Sequence, residues 1–259
     1  MAEPFAKSAK ELREWDQDVW RQTEAQVPGN ASVFAQLTGI HYDLLAQAHE
    51  RNARQKDSRF ERALRLMAAR CTHILRAMWV SVMTGYPAAY QPLMRTLYET
   101  SLTMYYLRLH PEDLGIWAKR DKSKAEQRRF WPSEMMKRLK SPDAERLIYR
   151  SMAEAAHPNP PALSRLGGYD PDSDTLEISV GRVLPENEAR RLSADICLLG
   201  AISAYNTART VKDALVDGLP NEEQLHEFLG QLTKLTDSLE KGPVQGTTVF
   251  DMLAKKVRR

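Results

Sequence analysis

Cysteine is nearly missing from this chain: 259 residues hold only Cys71 and Cys197. That excludes a disulfide framework and a cysteine-rich metal site. Both cysteines lie in apolar helical stretches, so two buried thiols in a reducing compartment are expected. No apolar run approaches the length needed to cross a bilayer. The opening Met1-Ala2-Glu3-Pro4-Phe5-Ala6-Lys7 has no apolar stretch of the kind a signal peptide needs. These features predict a cytoplasmic protein without a membrane partner. The formal net charge of +3 is too small to establish a nucleic-acid partner and is compatible with one. No glycine-rich phosphate loop occurs, and strands do not alternate regularly with helices, which disfavours parallel α/β folds. Internal repeats and low-complexity tracts are absent as well. His41, His49, His73, His110 and His226 are scattered. None makes a two-histidine metal spacing with a carboxylate between, so no metal and no cofactor are expected. Neither cysteine has a plausible histidine base in its local sequence, so a cysteine protease is not expected.

What is present is helical periodicity. Apolar residues make up 42% of the chain and charged residues 27%, enough for a core without staples. Leu12, Trp15, Val19 and Trp20 predict an amphipathic helix over residues 5–26. Pro28-Gly29-Asn30 interrupts it, with Asn30 as the expected cap of a helix over 31–52. Residues 57–84 hold the longest stripe: Phe60, Leu64, Met67, Cys71, Leu75, Met78 and Val82. A central helix over 88–109 is apolar on several faces and ends at His110-Pro111. Shorter helices are expected over 112–129 and 133–139. Another opens at Pro142, capped by Ser141, and ends at His157-Pro158. Residues 159–186 read as a long loop, in which Thr175 to Val180 alternates as a short strand or half of a small hairpin. Long helices over 185–216 and 221–241 follow. The predicted fold class is all-α: a multi-helix bundle with a long loop carrying a short strand or small hairpin. No clean linker divides it. The expectation is therefore one domain over 1–259, with a core at about 31–241 and a docking tail at 242–259 that offers Val249, Phe250, Leu253 and Val257.

Three clusters bear on chemistry. Arg95 and Glu99 are four apart on an apolar helix and share a face. They either bind an anionic ligand or orient a catalytic group, or else form an internal ion pair joined by the hydroxyl of Tyr98. Arg150 and His157 are seven apart, close to two turns, which places them on one face roughly 10 Å apart. His157 at a helix C-terminus favours the imidazolium. Such a histidine can move protons while the arginine stabilises phosphate charge. Glu154 between them either orients one partner or neutralises Arg150. The plainer alternative is a histidine helix stop beside a surface pair. Third, Lys119, Arg120, Lys122, Lys124, Arg128 and Arg129 form a basic run near Trp117, Phe130 and Trp131. It is either an RNA path, with Lys119, Arg120, Lys124, Arg128 and Arg129 as candidate contacts, or a solvated helix with inward aromatics.

An arginine followed by a histidine near the end of a helix, in an all-helical bundle, resembles HEPN-type proteins. The six residues between Arg150 and His157 stand at the long end of that spacing. Ser151 follows the arginine where that motif usually has Asn, Asp or His. The segment from Gly85 to Glu99 is also similar to a set of uncharacterised bacterial helical proteins with an Arg-x-x-x-Glu helix and a later His-Pro, a similarity covering about residues 71–212. The HEPN resemblance implies metal-independent RNA cleavage in a site often shared across a homodimer, in toxin–antitoxin pairs or phage defence, with an antitoxin or other protein partner. It implies that Arg150 holds the phosphate and that His157 acts on the 2′-hydroxyl or the leaving oxygen. The competing readings are a non-catalytic helical module that binds a ligand or protein, and a self-assembling helical protein whose apolar stripes and Phe250 tail make dimer contacts.

Overall fold

The computed structural model describes residues 9–54, 58–141, 143, 146, 149–150, 152–153, 167–170, 175–178, 181–214 and 222–239. Helix α1 spans Ala9–Ala25, α2 Pro28–Arg54, α3 Arg59–Met83 and α4 Pro87–Leu109. A 3-10 turn at Pro111–Asp113 leads to three short helices: α5 (Leu114–Trp117), α6 (Lys124–Arg129) and α7 (Pro132–Arg138). Helical residues that include Tyr149, Arg150, Met152 and Ala153 come next. Then β1 (Gly167–Asp170) and β2 (Thr175–Ile178) form an antiparallel hairpin, pairing Gly167 with Ile178 and Asp170 with Thr175. Long helices α8 (Glu186–Ala214) and α9 (Glu222–Asp237) follow. The architecture is the expected all-α bundle, and the alternating Thr175 segment is the second strand of its hairpin.

The core forms where the apolar stripes meet. On α3, Leu64, Met67, Cys71, Leu75, Met78 and Val82 recur every three or four residues and are all buried. Burying each Leu or Met is worth about 1.5–3 kcal/mol. Opposite them α4 inserts Tyr90, Leu97, Met104 and Leu107, and α2 stacks Phe34 on Trp79 with ring centres 4.2 Å apart. The α2 and α8 axes run side by side. Asn30 donates to the Arg190 carbonyl at 3.2 Å and to Ser193 Oγ at 2.8 Å, while Cys197 Sγ donates to the Asn30 carbonyl at 3.5 Å. A methyl on Gly200 would sit 3.2 Å from Leu75 Cδ2 and 3.5 Å from Leu37 Cδ1. Three helices therefore converge where α8 has no side chain. Both cysteines are free and buried, and burial pushes both thiols up. That leaves them unreactive.

The tight turn between α3 and α4 holds several elements at one point. Gly85 has φ 77°, and a Cβ there would lie 2.1 Å from the Arg182 carbonyl oxygen. Only glycine meets both demands. The Gly181 amide donates to the Gly85 carbonyl at 3.0 Å, and the Trp15 indole donates to the Gly181 carbonyl. The turn, α1 and the entry to α8 are thereby joined.

Two expected boundaries are corrected. Asn30 is not a cap: α2 begins at Pro28, whose fixed φ and missing N–H suit a first helical turn, and Asn30 spends its side chain on α8. The helix expected over 112–129 is broken. It stops after Trp117, and Ser123 starts α6 with a capping box to Glu126. The Ser-x-x-Glu signal was present in the sequence. Residues 119–122 lie between the two pieces, and Lys122 Nζ bonds the Lys119 carbonyl there. Among the described residues, no helix is long and apolar enough to cross a membrane. The expected docking tail, 242–259, lies outside the described residues.

Candidate functional site

On α4, Arg95 and Glu99 do pair, with Arg95 Nε 2.8 Å from Glu99 Oε1. The third member is Tyr149, whose hydroxyl donates to the same oxygen at 2.7 Å. Tyr98 takes a different part. Its hydroxyl reaches Met136 Sδ at 3.7 Å, and its ring packs 5.8 Å from that of Tyr149. The Arg95 guanidinium also stands 5.8 Å from the Tyr149 ring centre. Arg95 and Glu99 are partly exposed. The hydrogen bond to Glu99 holds the guanidinium in its charged form, above its ordinary range. Burial, then the bond to Glu99, pushes the Tyr149 hydroxyl up to about 12. One carboxylate oxygen is thus shared by a cation and a phenol.

Arg150 follows Tyr149 and is exposed, without an ion-pair partner among the described residues. Successive helical residues point about 100° apart, so Tyr149 turns inward as Arg150 turns out. Glu154 and His157 lie outside the described residues. Of the scattered histidines, His41 is buried, and burial alone lowers its imidazole to about 4. It is a neutral core residue at ordinary pH.

The basic run builds a node of its own. Asp113, at the end of the 3-10 turn, is 2% exposed. Arg129 Nε, in the last turn of α6, lies 3.0 Å from Asp113 Oδ2. Arg138, in the last turn of α7, is 3.5 Å from the same oxygen. Tyr106 from α4 donates its hydroxyl to Asp113 at 2.5 Å and accepts from Arg138 at 2.7 Å. Phe130 meets the Tyr106 ring edge-on at 6.1 Å. One buried carboxylate thus fixes the ends of two short helices that have little stability of their own.

Above this node lies a shallow groove of about 440 Å³, lined by Arg128, Arg129, Lys137, Arg138, Glu126 and Glu134. Its acids are largely engaged. Glu126 is 2.6 Å from Lys119 Nζ and accepts from the Ser123 amide at 2.9 Å, which together lower its carboxyl to about 2. Glu134 stands 3.5 Å from Arg128. Lys137 is exposed and has no ion-pair partner among the described residues. The groove therefore keeps a positive excess. Arg120 and Lys124 are exposed on the connection and first turn that precede it. Of the three neighbouring aromatics, Trp117 and Phe130 pack on the core, whereas Trp131 is 53% exposed at the start of α7.

The sequence reading did not find Tyr106, Asp113, Lys137, Arg138 or Tyr149. Tyr106 and Asp113 sit on either side of Pro111, so no helical spacing relates them, and the contacts of Arg138 and Tyr149 with α4 are long-range. Among the described residues, no group of three His, Cys, Asp or Glu side chains is placed to hold a metal ion. No family model, no curated protein and no solved structure matches the chain.

Proposed function

We propose that the protein is an RNA-binding helical module that grips single-stranded RNA in the groove between α6 and α7. The observation that supports this reading is the Asp113 node. It holds Arg129 and Arg138 at fixed positions under an open groove, beside Arg128 and Lys137. Pre-placed guanidinium forks suit phosphate, because less side-chain freedom is lost on binding. Trp131 beside them offers a face on which a base can stack, which requires an unpaired base. The test is gel retardation with single-stranded RNA, duplex RNA and single-stranded DNA of one sequence. Single-stranded RNA should bind best, and Lys137→Gln with Arg128→Gln should weaken it. Both side chains are exposed and neither touches Asp113, so the fold is spared. Equal retardation of the variant removes the groove from the reading.

Metal-independent cleavage is the second reading. It rests on Arg150 being exposed, with no ion-pair partner among the described residues. In it Arg150 holds the phosphate, His157 transfers protons, Glu154 orients one of them, and two copies of the chain share the site. RNA should then be degraded in EDTA, and His157→Ala should abolish this while leaving retardation intact. Unchanged degradation by that variant ends the cleavage reading alone.

A further inference from the structure

Helix α3 turns to solvent a face that carries no acid. Its exposed positions are Arg59, Arg62, Leu66, Arg70, His73, Arg76 and Val80, three or four residues apart along one side. The helix has one carboxylate, Glu61, and the Ser58 capping box uses it, with Ser58 N–H donating at 2.6 Å. Arg59, Arg62 and Arg70 have no ion-pair partner among the described residues. Arg76 donates to the hydroxyl of Tyr42 on α2 at 3.0 Å, and that tyrosine is itself 46% exposed. From Arg59 to Arg76 the row runs about 25 Å at 1.5 Å per residue. Arg59 and Arg62 stand one turn apart and repel each other, and no acid on this face offsets the charge of the row. A ligand that supplies negative charge along the whole row relieves that repulsion.

We infer that the outward face of α3 is a second binding surface, which carries the phosphate backbone of single-stranded RNA onward from the groove. This rests on the reading of the groove as an RNA site. Three observations favour an RNA strand over an acidic partner helix. The exposed apolar side chains on the face are Leu66 and Val80, four turns apart, which is no seam for a helix to seat on. The forks of Arg59, Arg62, Arg70 and Arg76 are spread along the whole row rather than gathered at one point, which suits a chain of phosphates better than one carboxylate cluster. Half-exposed Tyr42 flanks the row as a stacking face. Position agrees as well. The Cys71 and Ser101 contact at 3.6 Å joins α3 to the antiparallel α4, so the start of α3, with Arg59, lies at the same end of the bundle as the end of α4 that leads to Asp113.

The experiment measures fluorescence anisotropy of the full chain with labelled oligouridylates of about six and about twenty nucleotides, over a range of KCl concentrations. The variant carries Arg62→Gln, Arg70→Gln and Arg76→Gln, all at exposed positions, and circular dichroism verifies its helix content. The long oligomer should bind at least tenfold more weakly to it, with a salt slope shallower by about two, as expected for three lost contacts to a single strand. The six-nucleotide oligomer should bind as before. Undiminished binding of the long oligomer overturns the inference, as does an equal loss for both lengths. Loss of polyglutamate binding with RNA binding kept overturns it too, in favour of an acidic protein partner. Wild-type protein that binds neither length removes the groove reading first. Groove variants that lose the short oligomer while the α3 variant keeps the long one remove only this inference.

Discussion

Asp195 sits on α8 against α4, partly reachable by water, with Tyr90 hydrogen-bonded to it and Arg191 one turn back. Burial outweighs both favourable neighbours and raises its carboxyl from 3.8 to about 7. The sign follows from linkage. Below pH 4 the carboxyl is protonated in folded and unfolded chains alike, and burial costs nothing. Between pH 4 and 7 the unfolded chain gives up the proton and the folded chain keeps it, so stability falls as pH rises. Above pH 7 the full cost applies. A shift of this size corresponds to about 4 kcal/mol. Residual contact with water screens part of it, which leaves about 2 kcal/mol as the working figure. Asp195→Asn removes the charge and keeps an oxygen for Tyr90. The variant should therefore be more stable than wild type at pH 8 by about 2 kcal/mol, a rise in Tm of about 4–8 °C for a chain of this size. At pH 4 the two proteins should melt together. Thermal unfolding followed by circular dichroism at pH 4, 6 and 8 measures this. A variant less stable than wild type at pH 8, or a gain of the same size at every pH, refutes the argument.

Asp113→Ala should cost about 1.5–3 kcal/mol in urea unfolding, since it removes the buried carboxylate to which Tyr106 donates and beside which the partly exposed Arg129 and Arg138 stand; a loss below 1 kcal/mol means the node does not anchor α6 and α7. Gly85→Ala should cost about 3 kcal/mol or more, because the methyl meets the Arg182 carbonyl at a left-handed φ, and unchanged melting would show that the turn relaxes freely. Tyr149→Phe should cost about 1.5–3 kcal/mol, the worth of a hydrogen bond to a charged group. It should also remove the phenol that ionises last in an ultraviolet alkaline titration; a wild-type curve with every tyrosine near 10 contradicts the bond to Glu99.

Helices were legible because their signals are local. The α3 stripe from Phe60 to Val82 and the stops at Gly85 and Pro111 lie within a few residues of what they control. The Thr175 strand was legible by its alternation, though its partner Gly167–Asp170, with two glycines, has no comparable pattern. The Arg95 and Glu99 pair was legible as an i, i+4 spacing, but its tyrosine was not: Tyr149 reaches Glu99 across 50 positions of chain. The basic run was visible as composition. Its division into a groove was hidden, because Asp113, Tyr106 and Arg138 come from three different elements. The α3 arginines were overlooked for another reason. Every third or fourth residue outside an apolar stripe reads as ordinary solvated surface until the missing acids are noticed.

RNA held in the groove would lie beside Trp131. Ultraviolet crosslinking of the full chain to a uridine oligomer, followed by trypsin digestion and mass spectrometry, tests it most directly. The account predicts an RNA adduct on the peptide Phe130-Trp131-Pro132-Ser133-Glu134-Met135-Met136-Lys137, lost in Trp131→Ala. Crosslinks confined to other helices, or none under conditions where the RNA is bound, contradict it.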